Sequence, residues 1–346
     1  MSKLVGVISW VFGEFRAVRL QRGKVVAVYH AAETVDSLAG FAEAVSTAHA
    51  ALALPSGPIA IVFANDDSGH LSFEAPPTSA ADLERMVARR VEADKSFSEP
   101  AAWTYRAIAD GRAQTGRTVL LHLAPKRLVD AMIRICEEHF LQVRSIVPLA
   151  ELVARMAQPA CTTPQDVVLA TVVLRERAML CVVRADPCVV FARTVVIGEH
   201  DSPDERVLLE TNRTALFAKQ KIGKSIDATC IFALDGEMPA RVGASFEMPL
   251  REVAVDDSEF TWARGAAKVD LSVLGNLVPR FRQRALSQRA LTRAAMLATA
   301  VMWVVALASV AWVTQFNARV ANRGGLALAA LPALEAESAQ LDTDYA

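Results

Sequence analysis

The chain has 346 residues, 53% of them hydrophobic, and its 37 Lys and Arg against 38 Asp and Glu leave a net charge of −1. That balance removes any whole-chain case for nucleic-acid binding, and the only dense basic cluster lies beside an uncharged stretch that explains it. Five cysteines (Cys136, Cys161, Cys181, Cys188 and Cys230) lack CxxC spacing and fit reduced cytosolic thiols rather than a disulfide framework or a metal site.

The opening MSKLVGVISWVFGEF carries one Lys and a short apolar run, but Glu14 follows and no small-residue cleavage site does, so no secretory leader is expected. LVGVISWVF, FRAVRLQ and KVVAVYHA read as three strands with a hairpin turn at Gln21–Lys24. A helix is predicted from Ser37 to about Leu54, with Leu38, Phe41, Val45, His49 and Leu52 on one face, followed by the strand PIAIVFAN. LSFEAPP then leads into a helix starting at Thr78 or Ser79, where Ser79 and Asp82 approximate a capping box. The strand TVLLHLAP, the helix KRLVDAMIRICEEHF, the strand QVRSIVP and the helix LAELVARMA complete a first unit, residues 1–157, with an insertion at about 71–115.

A second unit, 158–265, repeats the same grammar. DVVLATVVL, AMLCVVR and VVFARTVVI are three strands with a turn at Arg175-Glu176, a long helix spans about Asp204–Lys221, and ATCIFAL is a further strand. Strand-strand-strand-helix-strand occurring twice is a repeat of architecture rather than of residues, and it predicts two ribonuclease-H-like α/β halves joined as in the actin-like folds. Gly223-Lys224-Ser225 imitates a phosphate loop, but Ala218 stands where the motif needs Gly, so a helix C-terminus is the expected reading.

The third region, 266–293, is apolar and then basic. Leu271, Val273, Leu274, Leu277, Val278 and Phe281 are too apolar for a solvated tether, and Arg280, Arg282, Arg284, Arg289 and Arg293 follow without an acid. Ala294–Thr314 has 21 residues and no charge. As a helix it spans about 31 Å, which matches a hydrocarbon core of roughly 30 Å. Arginines before the span, and Glu335, Glu337, Asp342 and Asp344 after it, predict a cytoplasmic N-terminus and a periplasmic C-terminus. Leu331, Leu334, Ser338 and Leu341 suggest a short coiled-coil stalk over 315–346, with breaks expected at Gly324-Gly325 and Pro332.

Three passages carry a family resemblance. FEAPPTSAADLERMVARRVEADKSFSEPAAWTYRAI and LHLAPKRLVDAMIRICEEHFLQVRSIVPLAELVARM are similar to PilM-type pilus-assembly proteins, and the likeness covers roughly residues 1–265. GNLVPRFRQRALSQRALTRAA resembles the start of PilN-type proteins, where an Asn-Leu-Leu-Pro motif precedes a basic stretch and one span; here Asn276, Leu277, Val278 and Pro279 stand at those positions. The layout is also similar to the type II secretion protein GspL. The resemblance implies an actin-like cytoplasmic domain with an insertion, and a peptide (Leu274, Asn276, Leu277, Val278, Pro279 and Phe281) that docks in a groove of such a domain. It further implies a bacterial inner-membrane assembly-platform subunit whose partners are pilus or secretion platform proteins, an assembly ATPase and copies of itself.

The departures concern the nucleotide loops of the superfamily. Where an Asp-Ile-Gly-type first loop is expected, the sequence reads Val7-Ile8-Ser9-Trp10-Val11-Phe12, whose Trp10 and Phe12 would fill the space a phosphate needs. Leu169-Ala170-Thr171-Val172-Val173 stands at the second loop and Ala233-Leu234-Asp235-Gly236 at the third. Three losses in three places predict a non-catalytic pseudo-ATPase with no cofactor and no metal. An ATP–Mg-binding protein with degenerate loops is the alternative, and a membrane-tethered kinase would need a catalytic Asp that no motif supplies.

Overall fold

The computed structural model describes residues 4–94, 99–109, 116–186, 188–197, 202–223, 225–233, 241–242, 248–251, 253 and 262–344. Two compact units result, residues 1–279 and 280–346.

The first unit is built on two sheets of like topology. Strands β1 (Gly6–Val11), β2 (Glu14–Gln21) and β3 (Lys24–His30) form an antiparallel meander. Helix α1 (Leu38–Ala51) crosses to β4 (Gly57–Ala64), which lies parallel to β1, and β8 (Leu141–Pro148) lies parallel to β4 at the far edge. The order is β3-β2-β1-β4-β8. The pleat divides β1 between two cores, because successive side chains point to opposite faces. Val7 and Val11 enter the central core, while Ile8 and Trp10 join the core under α1 and α3 (Lys126–Glu138).

The second sheet has the order β11-β10-β9-β12, from β9 (Val167–Leu174), β10 (Arg177–Arg184), β11 (Cys188–Val196) and β12 (Ala228–Ala233), with β12 parallel to β9. Every residue of β9 is buried, as expected for a strand covered on both faces. Val167, Leu169 and Val173 share a core with α5 (Pro203–Ile222), while Val168, Ala170, Val172 and Leu174 face the central core. That central core is shared by exchange. Helix α4 (Leu149–Ala157) leaves the first sheet and packs on β9, β10 and β11, whereas α6 (Trp262–Lys268) follows the second sheet and packs on β1 and β2. The helix α5 ends at Gly223 in the left-handed region (φ 71°), the ending read from sequence; Lys224 lies outside the described residues.

Between β4 and α3 sits a third sheet, order β5-β7-β6, of β5 (Gly69–Ala75), β6 (Ala101–Ala109) and β7 (Arg117–Pro125), with α2 (Ala80–Ala93) on it. Ser79 caps α2 by accepting a hydrogen bond from the Asp82 N–H at 3.1 Å. The inserted sheet runs on past the expected 71–115 through β7, which pairs with β5 and β6 and not with the body. Its small core gathers Leu83, Val87, Val119, Leu121 and Leu123.

The edges of the five-stranded sheet differ. On β3 the ladder shifts between Arg19 and Leu20, so that Val26 is an extra, half-exposed residue, a bulge beside Lys24. The β8 edge is covered by chain, as described below.

The second unit is one helix, α7 (Arg280–Asp344), 65 residues or about 98 Å long. Among the described residues it alone is long and apolar enough to cross a membrane, over Ala295–Ser338. It continues through Gly324, Gly325 and Pro332, where the sequence predicts breaks. Gly costs about 1 kcal/mol and Pro about 3 kcal/mol in a helix interior, and the Ala- and Leu-rich run on both sides outweighs those local penalties.

Candidate functional site

Two places on the first unit have the make-up of sites. The first is the cleft between the two sheets. The β1–β2 hairpin turns at Phe12 and Gly13 (φ 46° and 80°), and the β9–β10 hairpin turns at Arg175 (φ 50°) and Glu176. Both turns face one cleft of about 660 Å³, whose walls also include Thr34–Leu38, Asn65–Asp67 and Arg177. Residues 169–173, read as the second loop, lie inside the buried β9, so Arg175-Glu176 is the turn that meets the first hairpin. Of the third stretch, Leu234, Asp235 and Gly236 lie outside the described residues.

Polar groups of the protein line the cleft and pair with one another. The Asp36 carboxylate sits where a β-carbon on Gly13 would be, in close contact with that hairpin. The segment carrying it is pinned twice: the Trp10 indole N–H donates to Val35 O at 2.7 Å, and Val35 N–H donates to Gly13 O at 2.8 Å. Trp10 and Phe12 both line the cleft. The pleat turns Trp10 inward, 4.6 Å from the Phe41 ring, and it acts through Val35. Across the cleft Arg177 donates two hydrogen bonds to Asp66, each 2.7 Å, and Arg175 donates to Thr34. The Arg177 hydrogen bonds hold the Asp66 carboxyl below its ordinary range.

The second place is a groove along β8. Leu271 and Leu274 enter the central core, and Leu277 and Val278, 3% and 2% exposed, enter the core of α1 and α3. Between them Asn276 treats the free edge of β8 as a strand partner. Its Oδ1 accepts from Ile146 N–H at 3.0 Å, its Nδ2 donates to Arg144 O at 3.1 Å, and the following Leu277 N–H donates to Ile146 O at 2.9 Å. Oδ1 also accepts from Val278 N–H at 3.0 Å, which fixes the turn toward Pro279. The groove is a strand addition in which a carboxamide replaces one peptide unit.

The opposite wall is the inserted sheet. Thr104 Oγ1 accepts from Asn276 N–H at 3.1 Å, and Arg106 donates to Val273 O at 2.9 Å. A β-carbon on Gly275 would lie 2.9 Å from the Thr104 methyl, so only glycine passes there without displacement. Behind Arg106 runs a buried polar chain. Arg106 donates to both oxygens of Glu151, at 2.7 and 3.4 Å; Glu151 contacts His122 Nε2 at 3.1 Å, and His122 Nδ1 lies 2.9 Å from His70 Nδ1. Burial pushes Glu151 toward protonation, but the hydrogen bond from His122 and the charge and hydrogen bonds of Arg106 overcome it and hold the carboxyl down at about 2. Burial pushes His70 down to about 3, so it is neutral near pH 7.

The structure therefore gathers Leu274, Asn276, Leu277, Val278 and Pro279 at one groove. Arg282 is half-buried at the start of α7; the side chains of Arg280, Phe281, Arg284, Arg289, Arg293 and Leu341 lie outside the described residues. Sequence reasoning missed Thr104, Arg106, His122 and Gly275. It also missed Glu151, although an acid in an α4 whose other residues are mostly small or aliphatic was the available signal. Among the described residues no group of three or more His, Cys, Asp or Glu is placed to hold a metal.

No model of a known protein family matches the chain, and no curated protein matches it in sequence. Among solved structures, a chain of a PilM–PilN type IV pilus biogenesis complex aligns with a TM-score of 0.58 at 13% identity, over 72% of this chain and 88% of that one. The cytoplasmic domain of EpsL, an inner-membrane component of the type II secretion system of Vibrio cholerae, aligns at 0.47 and 13% identity, over 79% and 97%. A Bacteroides thetaiotaomicron protein of actin-like ATPase fold and unknown function aligns at 0.47 and 6% identity, over 77% and 95%. Topology, helix exchange and the likeness to the PilM–PilN complex together give the first unit an actin-like fold with an inserted three-stranded sheet, followed by one long apolar helix.

Proposed function

We propose that this chain is a non-catalytic, single-pass subunit of the inner-membrane assembly platform of a type IV pilus or a type II secretion-like machine. Its actin-like body lies in the cytoplasm and its C-terminus in the periplasm. One observation carries the reading: the body grips the segment Leu271–Pro279, and that segment continues at Arg280 into the apolar helix. A PilM–PilN complex is the solved structure it resembles in fold, and here the PilN-like motif follows the PilM-like body in one chain. Partners would be platform proteins, an assembly ATPase and other copies of the chain.

The cleft supports the absence of nucleotide turnover. A carboxylate already against the first hairpin repels a phosphate, and the backbone segment that carries it is held by the Trp10–Val35 and Val35–Gly13 hydrogen bonds. Two measurements test the whole. Leu277→Asp is expected to open residues 265–290 to protease in the full chain, and unchanged cutting sinks the docked-anchor reading. Calorimetric titration with ATP and magnesium is expected to give no heat of binding; micromolar affinity would establish the nucleotide-binding alternative.

A further inference from the structure

The inserted sheet has its own core and is also tied into the body: Leu120 enters the central core, Ala102 and Ala124 enter the core under α1 and α3, and Ile108 packs with Cys188 and Val190 of β11. At the groove, one carboxylate joins three parts of the molecule. Glu151, 1% exposed, lies in the first turn of α4, the helix that bridges the two sheets. It is held by Arg106 of β6 and His122 of β7, and Arg106 in turn holds the carbonyl of Val273. Gly275 passes within contact distance of the Glu151 side chain. A buried ionised carboxylate that loses one cation is left badly compensated, so Arg106 cannot leave the site without a large penalty.

The ring nitrogens close the far end of the chain. Among the described residues His70 Nε2 is buried and without a partner. Placing the His70 proton on Nδ1, donated to His122 Nδ1, and the His122 proton on Nε2, donated to Glu151, leaves no buried N–H unpaired. The chain then points one way, from β5 through β7 to α4, and Arg106 brings it out to the peptide.

We propose that Arg106, Glu151 and His122 are positioning residues that couple the order of β6 and β7 along the groove to the seating of the Leu271–Pro279 segment. Release of the segment thus loosens that wall of the groove, and loss of the polar chain loosens the segment. The wall of the inserted sheet becomes a reporter of segment docking. This rests on the docked-anchor reading and deepens it.

The test is amide hydrogen exchange on the full chain in lipid nanodiscs. Arg106→Gln is expected to speed exchange at least tenfold both in residues 273–278 and in β5–β7, with β9, β10 and α5 unchanged. Arg106→Lys, which keeps a cation beside Glu151, is expected to recover part of that protection. Leu277→Asp, which unseats the segment from its other end, is expected to speed β6 and β7 along their length, beyond the Ala102 and Ala124 that share its core. If Leu277→Asp exposes the segment but leaves β5–β7 unchanged, the coupling is wrong and the docking stands. If Leu277→Asp leaves the segment protected, the docking itself is wrong. Equal exchange in Arg106→Lys and Arg106→Gln would reduce Arg106 to a packing role and overturn the proposal, as would a segment still protected in Arg106→Gln.

Discussion

The cleft and the groove are both bridged by the chain's own residues, but by different chemistry. The cleft is bridged by a partly exposed ion pair, which salt can screen, beside a segment pinned through the buried Trp10 indole. The groove is sealed by backbone hydrogen bonds, two buried aliphatic side chains and a buried carboxylate, none of which solvent can reproduce. A cleft can be bridged by ordinary surface chemistry, whereas a joint that holds a chain segment needs desolvated contacts.

That contrast can be broken by mutation. Leu277→Asp has the largest expected effect: a carboxylate is forced into the α1–α3 core, costing several kcal/mol or ejecting the segment, as read by protease cutting within 265–290. Asn276→Ala leaves Ile146 N–H and Arg144 O unpaired and should cost about 1–3 kcal/mol in thermal unfolding. Gly275→Ala should cost about 1–3 kcal/mol through its clash with Thr104. Thr104→Ser, which keeps the hydroxyl that accepts from Asn276 and removes the methyl, should recover most of that loss. In the cleft, Arg177→Ala should cost no more than about 1 kcal/mol, and 1 M salt should erase the difference. A cleft variant that destabilises more than Asn276→Ala would invert the comparison.

Acid sharpens the same point. The Glu151 carboxyl titrates far below its ordinary value of 4.5, so the stability it contributes is complete above about pH 4.5 and is lost as pH falls toward 2. Glu151→Gln should flatten that stretch of the acid-unfolding profile, followed by near-ultraviolet circular dichroism.

Much of this was legible from residues alone. The strand-rich halves, the Ser79 cap, the Gly223 helix ending and the apolar approach peptide follow from local patterns of period two or 3.6 and from turn chemistry. What failed were questions of partner and direction. Alternation in RTVLLHLAP announces a strand but not that it pairs with β5 and β6, and the pleat that turns Trp10 into the core depends on a face known only after pairing. The Arg106–Glu151–His122 chain was invisible because its members lie 16 to 45 residues apart, each in a segment that reads as ordinary strand or helix.

The position of Asn276 on β8 also bears on solubility. A sheet has two raw edges, each a template for pairing with another molecule, and proteins confined to a surface meet their neighbours often. One edge of the five-stranded sheet carries the β3 bulge, with Lys24 beside it, which spoils the register an incoming strand would need. The other is covered by Asn276 and Leu277. The β8 ladder is itself irregular at Arg144, and Asn276 covers that point. Removing Leu271–Pro279 to detach the body from its helix would therefore expose the β8 edge at Arg144 and Ile146, and the shortened protein should associate through it more than the full chain does.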